Sequence, residues 1–102
     1  MKRNEVTMVR VYCSEKGHLH REIIDLLHRE HRVAGVTAFR GIAGFGKSGH
    51  IHEAGLLDVS LDLPVIIEFF DRPEVIAEVL PEISDKVGPG HVVSWPAYAN
   101  LD

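Results

Sequence analysis

The residues with the clearest potential for chemistry form the stretch GIAGFGKS, Gly41–Ser48. It fits the phosphate-loop pattern G-x-x-x-x-G-K-[ST], in which glycine N–H groups and a lysine hold phosphates. The pattern also requires a helix that opens at the lysine, within a parallel sheet of βαβ units of about 30 residues each. A chain of 102 residues has no room for such a sheet and a closed nucleotide site. We therefore interpret the glycines as a connection between strands that can still bring N–H groups and the charge of Lys47 to a phosphate.

Histidine pairs offer a different chemistry. His18/His20 and His50/His52 are each two residues apart, so on an extended backbone both side chains of a pair lie on one side and can chelate a metal. The spacing supplies no third ligand beside either pair. Metal binding at His50 and His52 is therefore the alternative to phosphate binding, and no catalytic set of residues is predicted.

Composition narrows the class of protein. Hydrophobic residues make up 45% and charged residues 25%, which is typical of a globular domain. The net charge of −4 disfavours nucleic acid as a partner, because that partner needs a basic surface. The single cysteine excludes an internal disulfide, and no apolar run is long enough for a signal peptide or a membrane span. We expect one cytoplasmic domain over residues 1–102.

Hydrophobic periodicity predicts four strands and two helices. The predicted elements are a strand at 6–12, a helix at 19–32, strands at 33–43 and 64–70, a helix after Asp71 and a last strand at 91–95. Asp71 and Glu74 have the spacing of a capping box at the start of the second helix. Pro81 lies too deep for the first turn, so the second helix is expected to kink or stop near Leu80.

The order β-α-β-β-α-β predicts an α+β, ferredoxin-like split βαβ fold. In this fold an antiparallel four-stranded sheet carries both helices on one face. The strand PVIIEFF at 64–70 is apolar on both faces, which predicts a central position in the sheet. Because the helices cover only one face of that strand, the other face is expected to be buried by further subunits.

The segment GVTAFRGIAGFGKSGHIHEAGLLDVSLDLPVIIEFFD, residues 35–71, resembles the signature of the family known as domain of unknown function 190. Members of this family are similar in fold to the P-II nitrogen-regulatory signalling proteins, and the resemblance extends from Val6 to about Trp95. It implies a homotrimer that binds an adenine nucleotide in the clefts between subunits. It also implies signalling to a protein partner through a mobile loop, here residues 47–62. Some relatives are encoded beside membrane transporters, so the resemblance also implies a transporter as a candidate partner.

The resemblance also implies which residues form the nucleotide site. The implied residues come from the second strand, the start of the mobile loop, the third strand and the loop before the last strand. They are Gly35, Val36, Thr37, Gly44, Phe45, Gly46, Lys47, Glu68, Gly88, Pro89, Gly90 and His91.

Departures from the P-II pattern bear on which nucleotide is bound. P-II proteins carry Asp and Lys in and after the last glycine loop, where this chain has Pro89 and His91. AMP or ADP is therefore favoured over ATP, and His91 is expected to make binding tighter below about pH 6.5. The expected function is regulatory rather than enzymatic. A metal-binding trimer of the CutA type, using the histidine pairs, and a small trimeric enzyme are the alternatives.

Overall fold

A computed structural model describes residues 3–29, 33–45, 52–53 and 63–101 of the chain, with the backbone alone for 52–53. The elements are β1 (Asn4–Ser14), a 3₁₀ turn (Lys16–His18), α1 (Leu19–Arg29), β2 (Val36–Arg40), β3 (Ala43–Gly44), β4 (His52–Glu53), β5 (Pro64–Asp71), α2 (Pro73–Val87) and β6 (Val92–Ala99). The predicted elements are all present. The second strand is three residues shorter than expected at each end, and the last strand is four residues longer at its end.

The main sheet has four antiparallel strands in the order β2-β5-β1-β6. Each of the two inner strands pairs with strands on both sides, so the central position predicted for β5 is confirmed. The short strands β3 and β4 form a separate two-stranded ribbon beyond the end of β2. This arrangement confirms the α+β, ferredoxin-like fold. The antiparallel sheet also lacks the parallel strands that a phosphate-loop site requires.

Both helices pack on the same face of the sheet. The core between them consists of Val9, Val11, Val65, Ile67 and Phe69 from the strands and Ile23, Leu27, Ile76, Val79 and Ile83 from the helices. Alternate residues of β1 and β5 supply this core, as expected for strands with one face against helices. No helix in the described part of the chain is long and apolar enough to cross a membrane.

The structure of the second helix contradicts two predictions, one about where it ends and one about its N-cap. It runs unbroken from Pro73 to Val87, so the expected stop near Leu80 is wrong. Pro81 removes one backbone donor, which would otherwise bond to the carbonyl of Ala77 one turn earlier. Both residues are exposed, so water can satisfy that carbonyl while the buried side chains on either side of Pro81 hold the helix to the sheet.

Asp71 is not the N-cap of this helix. The N-cap position is Arg72, and its side chain makes no capping hydrogen bond. The Asp71 carboxylate instead accepts the Arg72 N–H at 2.7 Å and the Ala34 N–H at 3.0 Å. The second bond reaches across to the segment before β2. Asp71 therefore fixes the start of β2 against the end of β5, a long-range contact that local spacing does not reveal.

Gly88 ends the second helix in a conformation that only glycine adopts readily. It has φ +79° and ψ 178°, and its N–H donates to the Ser84 carbonyl at 2.9 Å. A side chain in this region of φ/ψ space costs of the order of 1–3 kcal/mol. We expect Gly88→Ala to lower the free energy of unfolding by about that amount, measured by chemical denaturation at a fixed protein concentration.

Gly35→Ala is the matched control for that experiment. Gly35 has no left-handed φ, and a Cβ built there meets no atom within 4 Å. Its replacement should leave stability unchanged or raise it by up to about 1 kcal/mol, because alanine restricts the unfolded chain. Equal losses from the two substitutions would contradict the conformational argument.

Candidate functional site

The face of the sheet away from the helices is largely apolar, and several of its large side chains are exposed in the single chain. Strand register places its side chains in three rows across the sheet. They are Phe39–Ile66–Tyr12, Thr37–Glu68–Arg10–Val93 and Phe70–Met8–Trp95, and we call this set the open face. Phe39, Val93 and Tyr12 are 49%, 47% and 40% exposed, large fractions for apolar and aromatic side chains. A polar row thus crosses the open face between two apolar rows.

An ion pair occupies the centre of the polar row. Arg10 donates from Nε and Nη2 to Oε2 of Glu68, at 3.0 and 2.5 Å. Hydrogen bonding to the Glu68 carboxylate raises the pKa of Arg10 above its ordinary value. The guanidinium carbon also lies 5.5 Å from the ring centre of Trp95. Arg10 was not among the predicted site residues, because it becomes a partner of Glu68 only through a register between positions 58 residues apart.

Four predicted site residues line one cleft at the β2 edge. Gly35, Val36, Thr37 and Glu68 border it together with Ala34, Phe69 and Phe70. The cleft has a volume of about 330 Å³ and is open to solvent. Thr37 lies directly opposite Glu68 in the register. An uncharged hydroxyl and a carboxylate beside an apolar wall can hydrogen-bond the polar edge of a flat, mostly apolar ligand.

The glycines after β2 have a structural role of their own. A Cβ on Gly44 would lie 3.1 Å from Cγ of Pro64, and one on Gly41 would lie 3.2 Å from Cβ of the same proline. The Gly41 N–H also donates to the Pro64 carbonyl at 2.7 Å. Glycine thus lets this connection lie against the start of β5. Phe45 follows with 74% of its surface exposed.

The second predicted group of residues forms the turn before β6. Gly90 has φ +83° and follows Pro89, the sequence and the sign of φ expected at the central positions of a type II turn. Next in the chain, Nδ1 of His91 lies 2.9 Å from the Tyr12 carbonyl oxygen, and the Tyr12 N–H donates to the His91 carbonyl at 2.8 Å. Both contacts hold this turn against the end of β1.

The two groups lie at opposite edges of the sheet. Residues 35–37 belong to the β2 edge, and residues 88–91 lead into β6 at the other edge. Three inter-strand spacings separate β2 from β6, which is roughly 14 Å. Within one chain, therefore, the predicted site residues form two half-sites rather than one site.

Several predicted residues lie outside the part of the chain that the structure describes. These are Gly46, Lys47 and His50, together with the side chain of His52 and most of the predicted mobile loop at 47–62. The backbone of His52 pairs with Gly44 in the β3-β4 ribbon. Among the described residues, His, Cys, Asp and Glu form no cluster of three or more that could hold a metal ion.

Curated relatives of the chain are proteins named only by family. A UPF0166 protein of Aquifex aeolicus is 40% identical over 58 residues, which is 57% of this chain and 55% of that protein. A UPF0166 protein of Methanocaldococcus jannaschii is 36% identical over 69 residues, which is 68% of this chain and 62% of that protein. The matched part therefore spans less than two thirds of the length of either relative.

Solved structures with the same fold are more distant in sequence. One is CPII, a nitrogen regulatory PII-like protein from Thiomonas intermedia K12, bound to ADP, AMP and bicarbonate. It superposes with a TM-score of 0.74 at 22% identity, over 96% of this chain and 91% of that one. Another is the divalent ion tolerance protein CutA1 from Ehrlichia chaffeensis. Its TM-score is 0.62 at 10% identity, over 100% of this chain and 87% of the other.

The family itself is established by the sequence. Residues 6–99 match the family DUF190, described as Uncharacterized ACR, COG1993. This match covers all four strands of the main sheet and both helices, with only the first two residues of β1 outside it. The resemblance inferred from residues 35–71 is thereby confirmed, and the chain belongs to the DUF190 family.

Proposed function

We propose that this protein is a PII-like regulatory protein that binds an adenine nucleotide between subunits of a homotrimer. The observation that carries the proposal is the cleft at the β2 edge, where Gly35, Val36, Thr37 and Glu68 lie together. All four residues belong to the nucleotide site that the family resemblance implies. Similarity in fold to a PII-like protein crystallised with ADP and AMP supports the same ligand class.

The separation of the two half-sites supports a site between subunits. The cleft at the β2 edge offers a polar group beside an apolar wall, as a base requires, and the turn at residues 88–91 offers backbone N–H groups, as a phosphate requires. A nucleotide that needs both would join the β2 edge of one subunit to the β6 edge of the next. The site is therefore complete only in an assembly.

Burial of the open face would favour assembly of the subunits. It exposes aromatic and aliphatic side chains on three strands, and an apolar patch of this kind marks an interaction surface. The Arg10–Glu68 pair at its centre satisfies both charges within one chain, which lowers the cost of removing them from water. Three chains that bury their open faces against one another would have a mass of 34.2 kDa, three times the 11.4 kDa of the monomer.

Nucleotide class and regulation follow from the same proposal. AMP or ADP is favoured over ATP because Pro89 and His91 replace the acid and the lysine of the P-II glycine loop. The segment at 47–62 is proposed to contact a protein partner whose affinity depends on the bound nucleotide. No catalytic step is assigned to the site.

Calorimetric titration with AMP, ADP and ATP tests the proposal. We expect AMP or ADP to bind, and Lys47→Ala to weaken binding by about 1–3 kcal/mol, the range for a charge-assisted hydrogen bond. Thermal melting is an independent readout, since a ligand at 100 times its dissociation constant adds about 2.7 kcal/mol of stability. Absence of heat and of a melting shift with all three nucleotides would refute the nucleotide site. Zinc and copper titrations of the wild type, His50→Ala and His52→Ala would then test the metal alternative.

A further inference from the structure

A second cleft lies at the opposite edge of the sheet from the β2 cleft. Its wall consists of Tyr12, Cys13, Ser14, Lys16, Leu19, Val87 and His91. Its volume is about 170 Å³, roughly half that of the β2 cleft. The cleft lies where β1 ends, where the 3₁₀ turn begins and where the turn at residues 88–91 leads into β6. Of its lining residues, only His91 belongs to the predicted nucleotide site.

His91 by itself is a poor ligand for an anion in this cleft. Its Nδ1 lies 2.9 Å from the Tyr12 carbonyl, which can only accept, so Nδ1 is the donor and carries the proton. In the neutral ring the other nitrogen, Nε2, then has only a lone pair, which repels an anion. Nε2 becomes a donor only when the ring is protonated. With a neutral imidazole the cleft therefore needs another cation to hold a phosphate.

Lys16 is a cation on the wall of the same cleft. Lys16 is exposed, and none of the ion pairs among the described residues involves it. The neighbouring acid, Glu15, is buried and pairs through Oε1 with Nε of Arg40. Burial raises the pKa of the Cys13 thiol, so that group adds no competing negative charge at neutral pH. Ser14 contributes a hydroxyl that can donate to an oxyanion.

The backbone holds Lys16 in a constrained turn. Gly17 has φ +80° and His18 has φ +58°, and among the described residues His18 is the only non-glycine residue with positive φ. For a non-glycine residue such as His18, positive φ costs roughly 1–2 kcal/mol and persists only where the surrounding structure enforces it. The buried Glu15 provides that support, because its N–H donates to the Leu63 carbonyl and its carbonyl accepts the His18 N–H.

We propose that this cleft is the phosphate subsite of the nucleotide site, with Lys16 as its cation. Lys16 would supply, from the turn after β1, the positive charge that P-II proteins place after the glycine loop, where this chain has His91. This inference rests on the proposed function, since it concerns the phosphate of the same nucleotide. It adds a residue from a different element, 75 positions away from His91 in the chain.

Titrations of Lys16→Ala with ADP and with adenosine test the role of Lys16. Loss of a charge-assisted contact to phosphate should weaken ADP binding by roughly tenfold or more. Adenosine has no phosphate, so its affinity should not change. Lys16→Arg should restore a substantial part of the ADP affinity, because arginine keeps the charge. Lys86→Ala is the matched control: it removes an exposed lysine next to Val87 that does not line the cleft, and it should bind ADP as the wild type does.

The possible results separate this inference from the proposed function. If the wild type binds ADP and Lys16→Ala binds it equally well, the role of Lys16 is wrong and the nucleotide site stands. Equal weakening of ADP and adenosine would also overturn it, because a general loss of structure would then explain the effect. If the wild type binds no adenine nucleotide, the proposed function fails and the subsite fails with it.

Discussion

Phe39→Asp is expected to convert the proposed trimer into monomers. Phe39 lies on the edge strand β2 in the first row of the open face, directly opposite Ile66, and is 49% exposed in the single chain. A carboxylate there remains hydrated in the monomer, so the fold should tolerate it. In the trimer the same group would enter a buried apolar contact without a partner, which costs several kcal/mol in each of three subunits.

Light scattering coupled to size exclusion measures this effect directly. The wild type should have a mass of 34.2 kDa, three times 11.4 kDa, and the variant should elute near the monomer mass. Tyr98→Asp is the matched control, because Tyr98 is also an exposed aromatic residue, at 63%, but lies on the opposite face of β6. A monomeric wild type, or a Phe39→Asp protein that stays trimeric, would contradict assembly through the open face.

Gly90→Asn is expected to weaken ADP binding by at least about tenfold while leaving the fold and the proposed trimer intact. Gly90 has φ +83°, so valine or alanine would strain the turn as well as crowd a ligand. Asparagine is the side chain that best tolerates this position of a type II turn. It therefore adds bulk beside the backbone N–H groups, which must approach a phosphate closely, with little cost to the turn itself.

Three measurements make the result decisive. Calorimetry gives the affinity for ADP, denaturation gives the free energy of unfolding, and light scattering gives the mass. Weaker ADP binding with unchanged stability and mass supports a phosphate contact at Gly90. Wild-type affinity for ADP in the variant would show that the turn at residues 88–91 does not approach the phosphate.

The sequence by itself determined the family, the order of the elements and the central position of β5. These follow from local information. PVIIEFF is apolar at nearly every position, which favours an inner strand of the sheet, and the first helix shows a 3.6-residue apolar period. The family signature at residues 35–71 then identified Gly35, Val36, Thr37 and Glu68, which the fold brings into one cleft.

Other features depended on contacts that no local pattern contains. Asp71 and Glu74 have capping-box spacing, yet the Asp71 carboxylate accepts the Ala34 N–H, because the segment before β2 lies beside the end of β5. Pro81 lies inside a helix because buried residues on both sides of it outweigh one lost hydrogen bond.

The chemistry of the candidate site was decided in the same way by the tertiary structure. Arg10 meets Glu68 because the register of β1 with β5 places residues 58 positions apart opposite each other. Lys16 shares a cleft with His91 because β1 and β6 are neighbours in the sheet. Strand pairing brings these distant side chains into contact. The pairing depends on how the whole chain buries its apolar surface, not on the spacing of a few residues.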